Sequence, residues 1–235
     1  MTDRSGTTNY SCDMMDRLST RATPAGTLGY THDSAGHLAS MTSSNANGVS
    51  VDYQYDQNGN VLTTGGKSFT YDSENHLTSM NAGAVTIIYD GDGNRVSKTV
   101  GGVTTSYLVD DLNPTGYPQV VEELTGGAVT RQYTYGLQRI SQNQVISSTW
   151  TPSFYGYDGG GNVRQLTNTS GAVTDSYEYD AFGNEFTTSG TTPNNYLYRG
   201  EQFDKDLGLY YLRARYYNPA TGRRVAHPFS FAMLT

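Results

Sequence analysis

One cysteine stands in 235 residues, so no disulfide can form within the chain. Tryptophan also occurs once, and hydrophobic residues make up only 35%. No apolar run approaches the ~20 residues that a membrane-spanning helix needs. The first residues, Met1-Thr-Asp-Arg-Ser-Gly-Thr-Thr, lack the hydrophobic core of a signal peptide. Basic residues are few: 15 against 22 acidic, a net charge of -7, which speaks against a nucleic-acid partner. Localisation is not set by these features. Low hydrophobic content could signal disorder, but the chain holds 20 tyrosines and 27 glycines. Tyrosine buries a large ring despite its polar tip, so a folded, aromatic-rich chain is expected.

What is present is a recurring phrase. It reads Tyr53-Gln-Tyr55-Asp56, two turn residues, then Gly59-Asn60-Val61-Leu62. It returns as Phe69-Thr-Tyr71-Asp72 with Asn75-His76-Leu77, and as Ile88-Tyr89-Asp90 with Gly93-Asn94. Two further copies are Tyr155-Gly-Tyr157-Asp158 with Gly161-Asn162-Val163, and Tyr177-Glu-Tyr179-Asp180 with Gly183-Asn184. Residues two apart share one face of a strand, so each aromatic pair lines the same side. The Asp can accept hydrogen bonds from backbone N–H groups ahead of it, and the Gly supplies a positive φ. Each copy is therefore a β-hairpin or the corner between two. Asp13, Asp33, Asp56, Asp72 and Asp90 follow at intervals of 20, 23, 16 and 18 residues, enough for two strands and their connections.

Degenerate copies fill the gaps. Tyr10-Ser-Cys12-Asp13 and Tyr30-Thr-His32-Asp33 replace the second aromatic, Tyr133-Thr-Tyr135-Gly136 lacks the Asp, and Tyr107-Leu-Val-Asp110 is shifted by one. Cys12 in a strand slot predicts a small buried thiol. The stretch from Asp110 to Pro118 predicts a longer loop inside the array. A single hairpin is marginal in water, so neighbours must stack.

The repeats resemble the YD repeats of bacterial RHS proteins, which also occur in insecticidal toxin complexes and in animal teneurins. Tyr198-Arg-Gly-Glu-Gln-Phe203-Asp204 through Gly208-Leu-Tyr210-Tyr211-Leu-Arg213-Ala-Arg215-Tyr216-Tyr217-Asn218-Pro219 to Gly222-Arg223 resembles the RHS repeat-associated core signature. The resemblance implies an all-β fold, an array of hairpins forming a continuous sheet that spirals into part of a hollow shell. It divides the chain into repeats at 1–197, the core signature at 198–224 and a divergent tail at 225–235. It implies enclosure of a C-terminal toxin cargo, or cell-surface interaction, with secretion or surface display of the full-length protein. The family also cuts itself by an aspartic-type reaction. Here Asn218-Pro219 stands where Asp-Pro is usual, and His227-Pro228 is the loose counterpart of a second Asp-Pro. Paired carboxylates need both acids at one site, so self-cleavage is not expected. The repeat that starts at Asn9 with no cap before it reads as the last turns of a longer shell.

Other motifs read as turns. Gly65-Gly66-Lys67-Ser68 looks like the end of a phosphate loop, but position 61 is Val61 and a strand follows it rather than a helix. Asp90-Gly-Asp92-Gly-Asn94 looks like the start of a calcium loop, but Arg95 and Gly101 stand where Gly and Glu are needed. His32, His37, His76 and His227 have no metal-ligand spacing. His37 and His76 hold the slot that Asn60, Asn94 and Asn162 hold elsewhere. Arg213, Arg215, Arg223 and Arg224 make a basic end that pairs with the acidic turns or docks a partner.

The reading is thus a non-enzymatic segment of an RHS-type shell. No catalytic, cofactor-binding or metal-binding residue is assigned and no cofactor is implied. Its partners are the rest of the shell or a toxin cargo, with self-association through open strand edges. The alternatives are a carbohydrate-binding or adhesion module whose exposed tyrosines stack on glycans, and a hydrolase or vestigial self-protease. A β-propeller is the rival fold, with two repeats per blade of ~40–45 residues.

Overall fold

A computed structural model describes residues 2–3, 6–24, 26–44 and 50–225. His227, Pro228 and the rest of the tail after Val225 lie outside the described residues. The chain divides into two compact units, 1–70 and 71–235.

In the first unit, β1 (Thr2–Asp3) and β2 (Gly6–Thr7) form a short ladder. Seven strands then follow in chain order. They are β3 (Asn9–Cys12), β4 (Leu18–Thr23), β5 (Gly26–His32), β6 (Leu38–Ser43), β7 (Val51–Tyr55), β8 (Val61–Thr64) and β9 (Lys67–Tyr71). Each pairs antiparallel with the next.

The second unit opens with β10 (Leu77–Met80), β11 (Val85–Tyr89), β12 (Arg95–Val100) and β13 (Val103–Asp110). It continues through β14 (Gln119–Thr125), β15 (Ala128–Tyr135), β16 (Arg139–Ile146) and β17 (Thr149–Tyr157). The meander ends with β18 (Val163–Thr167), β19 (Val173–Tyr179) and β20 (Glu185–Ser189). Every strand from β10 to β19 pairs antiparallel with its successor. An unbroken ladder of this length is not a set of four-stranded blades, so the propeller is excluded. A separate four-stranded sheet follows: β21 (Gln202–Asp204), β22 (Leu209–Tyr211), β23 (Tyr216–Asn218) and β24 (Arg223–Arg224). The fold is all-β, an array of hairpins in chain order.

Two kinds of turn recur along the array. At one, Asp56 Oδ1 accepts the backbone N–H of Asn58 at 2.9 Å and of Asn60 at 2.8 Å, while Oδ2 accepts the Asn60 side-chain amide at 2.8 Å. The backbone closes the loop in both directions, from Asp56 N–H to Asn60 O and from Gly59 N–H to Asp56 O. Equivalent turns are built on Asp13, Asp33, Asp72, Asp90, Asp158 and Asp180. The fourth position, which has positive φ, holds Gly in most copies, but Asp16 (φ 58) and Asn75 (φ 65) in two. At the other kind, two consecutive left-handed residues make the tight turn whose twist matches the strands. Gly65-Gly66, Gly101-Gly102 and Gly126-Gly127 fill it, and Ser147-Ser148 does so between β16 and β17. The phosphate-loop lookalike is therefore a hairpin turn, with Thr64 opposite Lys67.

Tyr71 donates to Val225 O at 3.0 Å, but in four other repeats the second tyrosine has one shared task. Its hydroxyl donates to the first carbonyl of the strand that leaves the preceding turn. Tyr55 reaches Leu38 O at 2.8 Å, Tyr89 reaches Leu77 O at 3.0 Å, Tyr157 reaches Arg139 O at 2.8 Å and Tyr179 reaches Val163 O at 2.8 Å. His37 and His76, in the Asn slot, place Nδ1 3.1 and 3.2 Å from Asp33 and Asp72, and each stacks on the next repeat's tyrosine with centroids 4.7 Å apart.

Two expectations need amendment. Cys12 is exposed, not buried: all four residues of β3 are exposed, and the strand carries no packed layer on the face that holds the thiol. A turn at Asn168 was missed. Its Oδ1 accepts the N–H of Ser170 and of Ala172, and Gly171 holds the positive-φ position, so Asn does there what Asp does elsewhere. The Asp110–Pro118 segment is the longer loop expected. Asn113 holds it by donating from Nδ2 to Asp110 O and Tyr117 O, both at 2.8 Å.

Candidate functional site

The second unit holds the chemistry. Its sheet buries an unusual number of polar side chains: Arg95, Glu123, Arg139, Gln142, Gln144 and Ser153 are all buried. A buried charge is expensive unless it is paired and hydrogen-bonded. For Arg95 the partners come from the core-signature segment, and for Glu123, Gln142 and Gln144 from neighbouring strands and residues 193–195.

Arg95 opens β12 directly after the Asp90 turn, so that turn aims its side chain inward. Its Nη1 donates to Asp204 Oδ2 at 2.9 Å and to the Tyr216 hydroxyl at 3.1 Å, and its Nη2 donates to Gln202 Oε1 at 2.8 Å. The guanidinium also lies over the rings of Tyr107 and Tyr211, 4.8 and 4.3 Å from their centroids. Asp204 ends β21 and starts the turn to Gly208. Its other oxygen takes Lys98 Nζ at 2.8 Å, and Lys98 continues to Asp206 at 2.7 Å. Both side chains of the Arg95–Asp204 pair are 1% exposed. Burial works against the Arg95 charge, but Tyr216, Tyr107 and Asp204 hold its pKa above the ordinary arginine value.

A second group surrounds Glu123. Tyr133 donates to it at 2.7 Å, Arg131 at 3.3 Å and the Asn195 amide at 3.2 Å. Arg131 also grips Gln144 Oε1 through Nε and Nη2.

The apolar part of the contact is a cluster of Val163, Leu166, Tyr177, Leu197 and Tyr210, with Phe203 and Tyr217 packed against it. Three hydroxyls of the core segment clasp one repeat turn. Tyr198 donates to Ala181 O, Tyr217 to Phe182 O and Tyr210 to Gly183 O, at 2.9–3.0 Å. A Cβ on Gly183 would sit 2.6 Å from the Tyr198 ring, so only glycine permits this approach. Asn184 answers by donating to Pro219 O at 3.0 Å.

Asn218, where an acid is usual in the resembling family, is spent on a turn. Its Oδ1 accepts the Ala220 N–H at 3.0 Å and its carbonyl accepts Gly222 N–H at 2.9 Å. Of the basic end, Arg213 pairs with Glu201 at 3.0 Å, a residue of the core signature rather than an acidic turn, while Arg215 is half-buried and Arg223 and Arg224 are exposed. Asp90, first of the calcium-like run, has both oxygens engaged by Asp92 and Asn94. Among the described residues no cluster of three or more His, Cys, Asp or Glu has metal-holding geometry. Asp175 went unnoticed in the sequence. It is 1% exposed, takes the Thr192 N–H at 2.8 Å on Oδ1 and leaves Oδ2 unpartnered.

Comparison with known proteins decides the family. The RHS Repeat family model matches residues 32–68. The tRNA3(Ser)-specific nuclease WapA of Bacillus spizizenii is 32% identical over 180 residues, 72% of this chain and 7% of that protein. The tRNA nuclease WapA of Bacillus subtilis is 31% identical over 178 residues, again 72% of this chain and 7% of that protein. The chain belongs to the RHS-repeat, or YD-repeat, proteins. Solved structures agree in fold. A chain in the Photorhabdus luminescens Tc holotoxin pore carrying the TccC3-D651A mutation superposes with a TM-score of 0.57 at 16% identity, covering 95% of this chain and 14% of that one. A TcdB2-TccC3 crystal structure gives a TM-score of 0.52 at 15% identity, covering 93% and 17%. This RHS-repeat chain therefore spans a small fraction of the length of each of these four proteins.

Proposed function

We propose that this chain is a non-enzymatic part of an RHS shell, a stretch of wall with the core segment fastened to it, in a larger protein that encloses a polypeptide cargo. The observation that carries the reading is the Arg95–Asp204 pair, 1% exposed on both sides, joining a repeat strand to the core sheet. Elsewhere in the second unit the reactive side chains are turned to internal tasks: carboxylates close turns, tyrosine hydroxyls hold carbonyls, and Asn218 caps a turn. That use of side chains suits a wall better than a catalyst. The relatives' names refer to nuclease activity, and this chain aligns with only 7% of their length.

The test is a chimeric RHS shell in which this segment replaces the matching repeats and core, followed by a reporter domain. The reporter should resist protease in the parent chimera and become sensitive with Arg95→Met, while strand content by circular dichroism is kept. Equal protection with and without Arg95, or none in either, would overturn the reading. The isolated chain should also self-associate through strand edges. Light scattering should give a mass that rises with concentration, and a constant monomer mass would refute this.

A further inference from the structure

Two arginines of the second unit are buried and a third, Arg131, is nearly so, and they are not treated alike. Arg95 has Asp204 at 2.9 Å, and Arg131 has Glu123 at 3.3 Å. Arg139, 8% exposed, has no carboxylate partner among the described residues. Its surroundings are neutral. The guanidinium lies 3.0 Å from the centroid of the Tyr196 ring and within 5.1–5.6 Å of those of Tyr133, Tyr135 and Tyr155. Nε donates to the Tyr135 hydroxyl at 3.2 Å, and Nη1 donates to Gly200 O at 3.3 Å. Of its five N–H donors, two are thus engaged at long distances and the Tyr157 hydroxyl meets the side chain as well, so neutral oxygens alone face the fork and part of it stays unfilled.

The side chain lines a cavity of about 210 Å³. Arg199 and Arg213 line the same cavity, as do Tyr135, Tyr157 and Glu201. Glu201 already holds Arg213 through both oxygens, at 3.0 and 3.2 Å. Arg199 donates to the neutral Gly160 carbonyl at 2.9 Å. The cavity wall therefore carries two guanidinium charges that no carboxylate offsets. Ring faces stabilise a cation but leave its in-plane N–H groups free. A planar donor fork with free N–H groups in a partly desolvated pocket is the geometry that captures carboxylates and phosphates.

We propose that this cavity is a binding site for a small oxyanion, a carboxylate or a phosphate, gripped by Arg139 with Arg199 at its side and tyrosine rings as walls. Its volume lies below the ~300–1,000 Å³ of pockets for drug-sized ligands, so the anion is small. The shell reading neither requires nor supplies such a site.

The test titrates the full chain with inorganic phosphate and, separately, with acetate, at constant ionic strength held with chloride. Isothermal calorimetry should show saturable binding of one anion per chain. The Arg139 Nε–H resonance, shielded from exchange by burial, should shift on the same curve. Response to phosphate alone assigns the site to phosphate compounds, and response to acetate alone assigns it to carboxylates. Arg139→Gln should abolish binding. Arg199→Gln, on the exposed rim, should keep the fold and weaken binding about tenfold, the equivalent of ~1.4 kcal/mol, which secures the test if Arg139→Gln does not fold. No saturable response to either anion, or unchanged affinity in Arg199→Gln with an unmoved Arg139 resonance, would overturn the proposal.

Discussion

A turn residue in this chain is chosen by backbone geometry first and by side-chain chemistry second. The Asp158 turn shows the chemistry. The Asn162 side-chain amide, followed by backbone N–H groups of Asn162 and Gly160, holds the Asp158 carboxyl below its usual range against a counteracting effect of burial. The geometry shows where glycine is missing. Asn75 sits at φ 65 in a slot that Gly59, Gly93 and Gly161 fill in sister repeats. Asn tolerates that region because its short amide can bond locally, whereas a Cβ with no such bond costs roughly 1–2 kcal/mol there. Asn75→Ala should therefore destabilise by about 1 kcal/mol, and Asn75→Gly should change little. Urea denaturation of the three proteins checks both. This level was the most legible in the sequence, because everything in the turn lies within five residues. Asn168 escaped because Leu166-Thr167 precedes it in place of the aromatic pair, although Gly171 stood at the right spacing. Cys12 was misjudged because its slot is half-buried in interior repeats, while β3 is exposed along its whole length.

Between elements, the decisive contacts join residues that look ordinary in the sequence. Arg95 reads as the residue after a turn Asn, and Asp204 as part of a signature, 109 positions later. No local pattern pairs them. Their strands are legible and their meeting is not, because it depends on how the core sheet lies against β12. Removing one member of a buried pair leaves the other uncompensated, at a cost of about 3–5 kcal/mol. Arg95→Met should fall at the lower end, since Lys98 stays 2.8 Å from Asp204. Asp204→Leu should be worse, because it strands Arg95 and Lys98 together. The double variant Arg95→Met with Asp204→Leu should regain much of the loss, as apolar replacements of buried pairs often do. A double-mutant cycle by chemical denaturation measures this, and additive losses would show that the two side chains do not couple. The same cycle on Arg213 and Glu201 should give well under 1 kcal/mol, as half-exposed pairs do. The clasp of Tyr198, Tyr210 and Tyr217 on residues 181–183 was equally hidden, since the motif announces tyrosines but not the carbonyls they reach.

Across the molecule, tyrosine replaces the aliphatic core that the composition withholds, and this ties stability to pH from one side. A buried phenol is stable only while neutral, because ionising it puts a charge where water cannot reach. Burial, ahead of neighbouring groups, pushes Tyr157, Tyr177 and Tyr211 up to about 12. The same cause raises Tyr107, Tyr133, Tyr196 and Tyr216, which are buried more deeply. In the unfolded chain these groups ionise near ~10. The sign follows from proton binding. Between ~10 and about 12 the unfolded state has lost protons that the folded state keeps, so stability falls with rising pH. Below ~10 both states hold them and the contribution is fully present. The second unit should thus show no tyrosine-linked change from neutral pH to ~10 and then unfold cooperatively above it. Tyrosinate absorbance and strand circular dichroism, followed together in an alkaline titration, should move as one transition. Gradual ionisation of most tyrosines at ~10 with the strand signal intact would mean that the rings are not buried as described. Because the tyrosines recur in every repeat, no single Tyr→Phe change should remove the transition. Each should shift it slightly upward where the lost hydroxyl had no buried carbonyl to hold, and lower overall stability where it had one, as Tyr179 has in Val163.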